Sequence, residues 1–208
     1  MCGIIGIVGI KAREQAGDHQ FALATEQLAH RGPDGQGIVR GPWGQLGHRR
    51  LSIIDLSADG NQPMRDSETG ATIVFNGELY NYLELREELK QLGHSFSTTS
   101  DTEVLLRAYL QWGHNCLAKL NAMFAFAIFD PRTDSVFLAR DRFGVKPLYY
   151  VHGPRFLAFA SEPKALLTLG VANNKLDDQA VADFLVGGSY AASARSFYAG
   201  IERLAPAH

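Results

Sequence analysis

The chain opens on an uninterrupted apolar, β-branched run over residues 3–10, which reads as a buried strand. Behind it, Phe21, Ala24 and Leu28 recur at helical spacing, with Asp18 placed to cap a helix that ends near His30. The Gly/Pro-rich segment 31–37 predicts a loop. Strand-like stretches around Ile38 and over 45–54 flank the turn signal Gly41-Pro42-Trp43-Gly44. A second loop, 57–63, leads to a β-rich stretch at 71–75. Two helices follow, since Asn81-x-x-Glu84 and Ser100-x-x-Glu103 both have capping-box spacing, with Gly93 and Gly113 as stops. Leu85, Leu89 and Leu92 line one face of the first; Val104, Leu105 and Ala108 lie on the second. Four strands are then predicted, over 123–129, 136–140, 148–152 and 156–160, with connectors at 131–134 and 153–154 short enough for antiparallel hairpins. Pro163 suits the first turn of a helix running to Leu169, and a last helix is predicted over 178–186.

Strands and helices thus come in blocks, without the regular alternation of a parallel doubly wound sheet. The order predicts an α+β layered fold with antiparallel sheets. At 208 residues, 46% of them hydrophobic and 20% charged, the chain can bury one sizeable core and is neither disordered nor low-complexity. Residues 1–175 are expected to form its core and 176–208 the C-terminal part of the same domain; the end at Pro206-Ala207-His208 reads as a cut.

Twenty Lys and Arg against 22 Asp and Glu leave a net charge of −2, which gives no global reason to bind nucleic acid or an anionic membrane. The longest wholly apolar run, 122–129, falls far short of the roughly 20 residues of a spanning helix. No export signal is evident, and two cysteines without zinc or C-x-x-C spacing suit a reducing compartment, so a cytoplasmic protein is expected.

Cys2 is the most informative residue. Removal of Met1 would leave a thiol and a free α-amine on one residue, both titrating near neutrality, so that a nucleophile and its base come together. Cys116, beside Leu117 and Leu120, reads as a packed thiol. Arg50 lies on a strand dense in β-branched residues, where a guanidinium can grip a carboxylate through two hydrogen bonds; Arg49 reads as an edge-strand arginine reaching to water. Asn76-Gly77 follows a strand with no return strand after it, and an amide beside a glycine N–H can form an oxyanion hole. Asp101 stands at a helix start, either as a cap or as a receptor for an ammonium. No histidine pattern suggests a metal.

Seven segments in order, MCGIIGIVG, HRGPDGQG, HRRLSIIDLS, FNGELYNY, TTSDTEVL, MFAFAIFD and RDRFGVKPLYY, resemble the glutaminase domain of asparagine synthetases, a class II (N-terminal cysteine) glutamine amidotransferase. The resemblance covers nearly the whole chain. It implies the N-terminal nucleophile hydrolase fold, a four-layer αββα sandwich of two antiparallel sheets, and hydrolysis of glutamine to glutamate and ammonia. It implies Cys2 as nucleophile once Met1 is gone, Asn76 and Gly77 as oxyanion hole, and Arg50 on the α-carboxylate. Glu78 and Asp101 then surround the α-amino group, while Leu51, Ile53 and Ile54 line the pocket.

The family's second half, an ATP-dependent synthetase domain, has no counterpart here. Gly187-Gly188-Ser189 resembles its phosphate loop only superficially and reads as a turn. No cofactor is expected in this chain, ATP and Mg being needed only by the synthetase domain, which also carries the ammonia acceptor site. Partners are glutamine and that acceptor, with neither nucleic acid nor membrane; a homodimer is compatible. Three other readings stay open: an acceptor other than aspartate, a nucleophile hydrolase acting on other amides, and an unprocessed regulatory or partner-binding module. The passage around Phe197, Tyr198 and Leu204 is expected to leave apolar surface exposed.

Overall fold

The computed structural model describes residues 1–188 and 194–208. Six strands form one antiparallel sheet: β1 (Gly3–Val8), β2 (Gly35–Gly41), β3 (Gly44–Arg50), β8 (Tyr149–Gly153), β9 (Phe156–Ala160) and β10 (Glu202–Arg203), in the order β10-β8-β9-β1-β3-β2. Four more form the second: β4 (Met64–Arg65), β5 (Thr72–Leu79), β6 (Ala122–Asp130) and β7 (Ser135–Arg140), in chain order. Helices α1 (Ala12–Gln15), α2 (Asp18–Glu26) and α5 (Pro163–Leu169) pack on the first sheet; α3 (Tyr82–Gln91) and α4 (Asp101–Trp112) pack on the second. The expected four-layer αββα sandwich is the fold. A further helix, α6 (Asp178–Gly187), follows, and among the described residues no helix is long and apolar enough to cross a membrane.

Period-two alternation assigns each strand residue to a layer. Ile5 and Ile7 of β1 meet Phe21, Ala24 and Leu28 of the α2 segment, whereas Ile4 turns to the inter-sheet layer with Leu46, Val74, Ala125, Ala127 and Phe159. That layer is thin at its centre because β1 has a glycine there. A Cβ on Gly6 would lie 2.3 Å from the Phe159 ring and 2.8 Å from Leu46. Trp43 stacks on Phe129 at 4.2 Å between ring centroids at one end of the layer.

Several local expectations need correction. Asp18 is the first residue of α2 and not its cap; Gly17 holds the cap position without a side-chain bond. Only the Ser100 capping box is half realised: Ser100 Oγ accepts from Thr102 N, but Glu103 turns away to accept from the N–H groups of Ser97 and Thr98. Asn81 also leaves its helix uncapped, because its amide joins Lys119 O and Asn121 N, pinning the loop before β6. Leu92 lies past the end of α3 and is half exposed, while Leu85 and Leu89 are buried. β2 begins inside the predicted loop, at Gly35, and makes β3 an interior strand. Arg49 is therefore no edge residue; it binds Gly32 O, Glu26 and Gln36.

Tyr198 and Leu204 are half-buried against the core, and Phe197 meets Phe184 edge-on at 5.4 Å, so the expected patch is largely covered. The exposed apolar side chains are elsewhere, among them Phe143, Leu185 and Val186. Gly187 ends α6 and Gly188 follows at φ +64°, a C-terminal cap; Ser189 lies outside the described residues.

Candidate active site

The alternation that builds the inter-sheet core also builds the site. On β1, β3 and β5 the inward positions Ile4, Leu46 and Val74 are apolar, and the same faces continue toward one end of the sandwich with Cys2, Arg50, Asn76 and Glu78. These four line a cavity of about 220 Å³ together with Leu51, Ile53, Ile54, Gly77 and Asp101. All nine residues singled out from the sequence are thus brought to one place.

Cys2 precedes β1, and the strand start is held by Arg31, whose Nε donates to Cys2 O at 2.9 Å and whose Nη1 meets Glu162 at 2.9 Å. The thiol lies against the backbone of Leu51, which donates its N–H to Sγ at 3.4 Å and accepts from it through its carbonyl at 3.6 Å. Burial pushes the Cys2 thiol above its ordinary range, as does Asp101; the Leu51 N–H, the chain's terminal amine and Arg50 oppose this.

The predicted strand over 45–54 stops at Arg50 because the chain wraps around that side chain. Its guanidinium donates to Ser57 O at 2.6 Å, Asn61 Oδ1 at 2.9 Å and Asp55 O. Gly60 leaves room for it, since a Cβ there would lie 2.3 Å from Nη2. The wrap is fixed in turn by Asp55, which accepts from Ser57 and from Thr99 ahead of α4. The Ser57 bonds, joined by those of Thr99, hold its carboxyl down at about 2.

Asn76 and Gly77 do not follow a strand end; β5 runs through them, pairing with Ala125 and Phe124 of β6. Their availability comes from the other edge of β5. The Phe124 carbonyl accepts from Asp141 N–H and its N–H donates to Asp141 Oδ2, both away from β5, so Gly77 opposite it belongs to a pair without mutual hydrogen bonds, and its N–H points away from β6. There β4 has already ended. Along that edge the Phe75 N–H goes to Gln62 Oε1 at 2.6 Å and the Leu79 N–H to Asp101 Oδ2 at 3.1 Å. The N–H of Gly77, between them, has no recorded acceptor among the described residues. A Cβ on Gly77 would lie 2.3 Å from Met123 O and 2.4 Å from the Phe75 ring, so no other residue fits. Asn76 is buried, and neither its Oδ1 nor its Nδ2 has a partner. Two neutral donors therefore stand side by side and uncommitted, Asn76 buried and Gly77 half-buried.

Asp101, the first residue of α4, is buried, and that burial raises its carboxyl to about 6 against the opposing Leu79 and Thr102 N–H groups; Glu78 adds to the rise. The cavity lining thus carries the cationic Arg50 and Lys146 together with the carboxylates of Asp101 and Glu78.

Four contributors were missed from the sequence. Arg31 and Lys146 lie in quoted motifs that gave no hint of burial. Gln62 bridges Phe75 N and Thr102 Oγ1 (3.0 Å). His48, fully buried, places Nε2 3.2 Å from Phe75 O; burial takes its pKa down to about 3, so the ring is neutral and donates to that carbonyl. Alternation from Leu46 puts His48 and Arg50 on one face, a signal that the sequence does carry.

Sequence and fold are both similar to those of known proteins. The chain is 38% identical to asparagine synthetase (glutamine-hydrolyzing) 3 of Bacillus subtilis, over all of this chain and 34% of that one. It is 40% identical to asparagine synthetase (glutamine-hydrolyzing) 1 of the same organism, over 89% of this chain and 29% of the relative. It spans about a third of the length of these curated relatives. Among solved structures, the glutamine phosphoribosylpyrophosphate amidotransferase of B. subtilis superposes with a TM-score of 0.64 at 27% identity, covering 81% of this chain and 44% of the other. The family model for the glutamine amidotransferase domain extends over residues 1–208, so sandwich and cavity fall together within one match, and the chain belongs to the glutamine amidotransferase domain family.

Proposed function

We propose that the chain hydrolyses the side-chain amide of free glutamine, with Cys2 as nucleophile after loss of Met1, and that the ammonia serves amidation of aspartate to asparagine. The observation that carries the hydrolytic step is the uncommitted donor pair, Asn76 Nδ2 and Gly77 N–H, in the cavity that holds the Cys2 thiol. Arg50 takes the α-carboxylate; Asp101 and Glu78 take the α-ammonium; Leu51, Ile53 and Ile54 line the pocket. A peptide would lack one or both of these charges, which favours a free amino acid over a peptide substrate.

In the reaction, the Cys2 α-amine accepts the thiol proton and Sγ attacks the amide carbon. The carbonyl electrons move onto oxygen, where Asn76 and Gly77 receive them. As the tetrahedral intermediate collapses, the C–N bond breaks, and the amine returns its proton to the departing ammonia. Water then attacks the thioester, releasing glutamate and restoring the thiol. Aspartate as acceptor rests on the names of the relatives and on the sequence motifs. ATP and Mg belong to that amidation. Gly187 and Gly188 close a helix at its C-terminal, negative end, the wrong end for a phosphate. The partners are glutamine and the acceptor, for a monomer or a homodimer in the cytoplasm.

The test supplies protein of verified N-terminal mass with glutamine, aspartate and Mg-ATP, following glutamate, asparagine and pyrophosphate separately. Processed protein is expected to release glutamate without ATP. Cys2→Ala should still bind glutamine and turn none over; glutamate from that variant would end the assignment.

A further inference from the structure

The polar side chains of the cavity are almost all spoken for. Arg50 spends its guanidinium on Ser57, Asn61 and Asp55, and presents its remaining charge to a carboxylate. Asp101 is held by Leu79 N. Asn76 and Gly77 are neutral donors. Lys146 is different: it is only 5% exposed, it lines the same cavity, and its Nζ makes no hydrogen bond and no ion pair among the described residues. Its backbone is tightly fixed, with N–H to Asp141 Oδ2 at 3.0 Å and O from Arg140 Nε at 2.7 Å, which anchors the root of the side chain at the cavity. An unpaired buried ammonium is costly and persists where a negative charge is to be met.

Two groups of the cavity lining can supply it, the Cys2 sulfur and Glu78. Glutamine brings one carboxylate, answered by Arg50, and one ammonium, answered by Asp101 and Glu78. Lys146 is engaged by neither of these substrate charges. The sulfur of Cys2, hydrogen-bonded among the described residues only to the Leu51 peptide, comes first among the groups that favour the charged Lys146, ahead of Glu78 and Asp141. Resting on the reading of Cys2 as nucleophile, we infer that Lys146 is a positioning residue that holds Cys2 as a thiolate and so sets the pH at which the site can attack.

Burial and Arg31 push the Lys146 ammonium below its usual range, while Cys2, Glu78 and Asp141 pull it back. The sulfur in turn faces the terminal amine, Arg50 and Asp101. Of these, Asp101 works against the thiolate, and Lys146 offsets it without occupying the α-amino end of the substrate.

The experiment follows iodoacetamide alkylation of Cys2 by peptide mass against pH, in processed wild type and in Lys146→Met, Lys146→Gln and Lys146→Arg. In the two neutral variants the alkylation midpoint should rise by about one pH unit, with Lys146→Arg close to wild type. Glutaminase kcat/KM near neutral pH should fall by about tenfold in the neutral variants and recover as pH rises. Cys116, fully buried, is the internal control for folding and stays unmodified. If Lys146→Met exposes Cys116, Lys146→Gln supplies the reading. Superimposable alkylation curves, or a rate loss equal at every pH, would overturn the inference and leave Cys2 as nucleophile standing. Turnover by Cys2→Ala would instead remove the nucleophile itself.

Discussion

The inter-sheet layer has two ends built to opposite rules. At one, Trp43 stacks on Phe129 and the layer closes over apolar surface. At the other, the same strand faces carry Cys2, Arg50, Asn76 and Glu78, and the layer opens into the cavity. The closed end satisfies its groups by contact. The open end holds groups short of partners: both polar atoms of Asn76, and the Gly77 N–H and Lys146 ammonium, which make no hydrogen bond among the described residues. Stability is concentrated at one end and reactivity at the other, yet six residues or fewer separate them along each strand.

The contrast breaks most completely at Asn76. Asn76→Ala should lower kcat by roughly 10²–10³ with KM little changed, as for loss of an oxyanion donor, and it should not destabilise the fold, because nothing in the protein depends on that amide. Steady-state kinetics with a melting curve decide it; a large stability loss at unchanged kcat would show Asn76 to be structural. Arg50→Ala should raise KM for glutamine by roughly 10–100-fold, the loss expected for hydrogen bonds to a charge, with a smaller effect on kcat. It should also loosen the loop at 51–61, visible as faster proteolysis there.

Asp101 sharpens the comparison through pH. Its carboxyl titrates at about 6 in the free protein, so it is ionised above that value and protonated below it. The protonated form cannot pair with an ammonium, so KM should climb as pH falls through 6, by about tenfold per unit at the limit. Asp101→Asn should have a raised KM that no longer varies over this range. A flat wild-type profile between pH 5 and 7 would remove Asp101 from substrate binding. At the closed end, Trp43→Ala should cost about 1–3 kcal/mol of stability, since Trp43 is only partly buried, and leave kcat/KM within twofold.

Most of the fold was legible because its signals are local. The run that begins at Gly3, the strand Phe156–Ala160 and the Pro163 helix need only apolar pattern, turn chemistry and a fixed φ. The αββα layering followed from block order and the resemblance. The nine site residues were legible as types and motifs. What was hidden is how they are held, because those supports are long-range. Gln62 and His48 reach Phe75 from a loop and from the other sheet, and Arg31 reaches Cys2 O across 29 positions. Asn76-Gly77 misled for a related reason: an Asn-Gly pair is ordinarily turn chemistry, and only the pairing with β6 carries it straight through.

The comb of N–H groups along β5 has a consequence beyond catalysis. A bare strand edge invites another chain to add to the sheet, the first step of edge-to-edge aggregation. Past the end of β4 this edge is capped by side chains, with Gln62 on Phe75, His48 on the Phe75 carbonyl and Asp101 on Leu79. A foreign strand needs a row of free donors and acceptors, and finds a gap one residue wide. Through that gap a single oxygen atom can still reach the Gly77 N–H. The width of the opening therefore suits a single oxygen atom and refuses a polypeptide, so protection against mispairing and access to the Gly77 N–H come from one feature of the sheet.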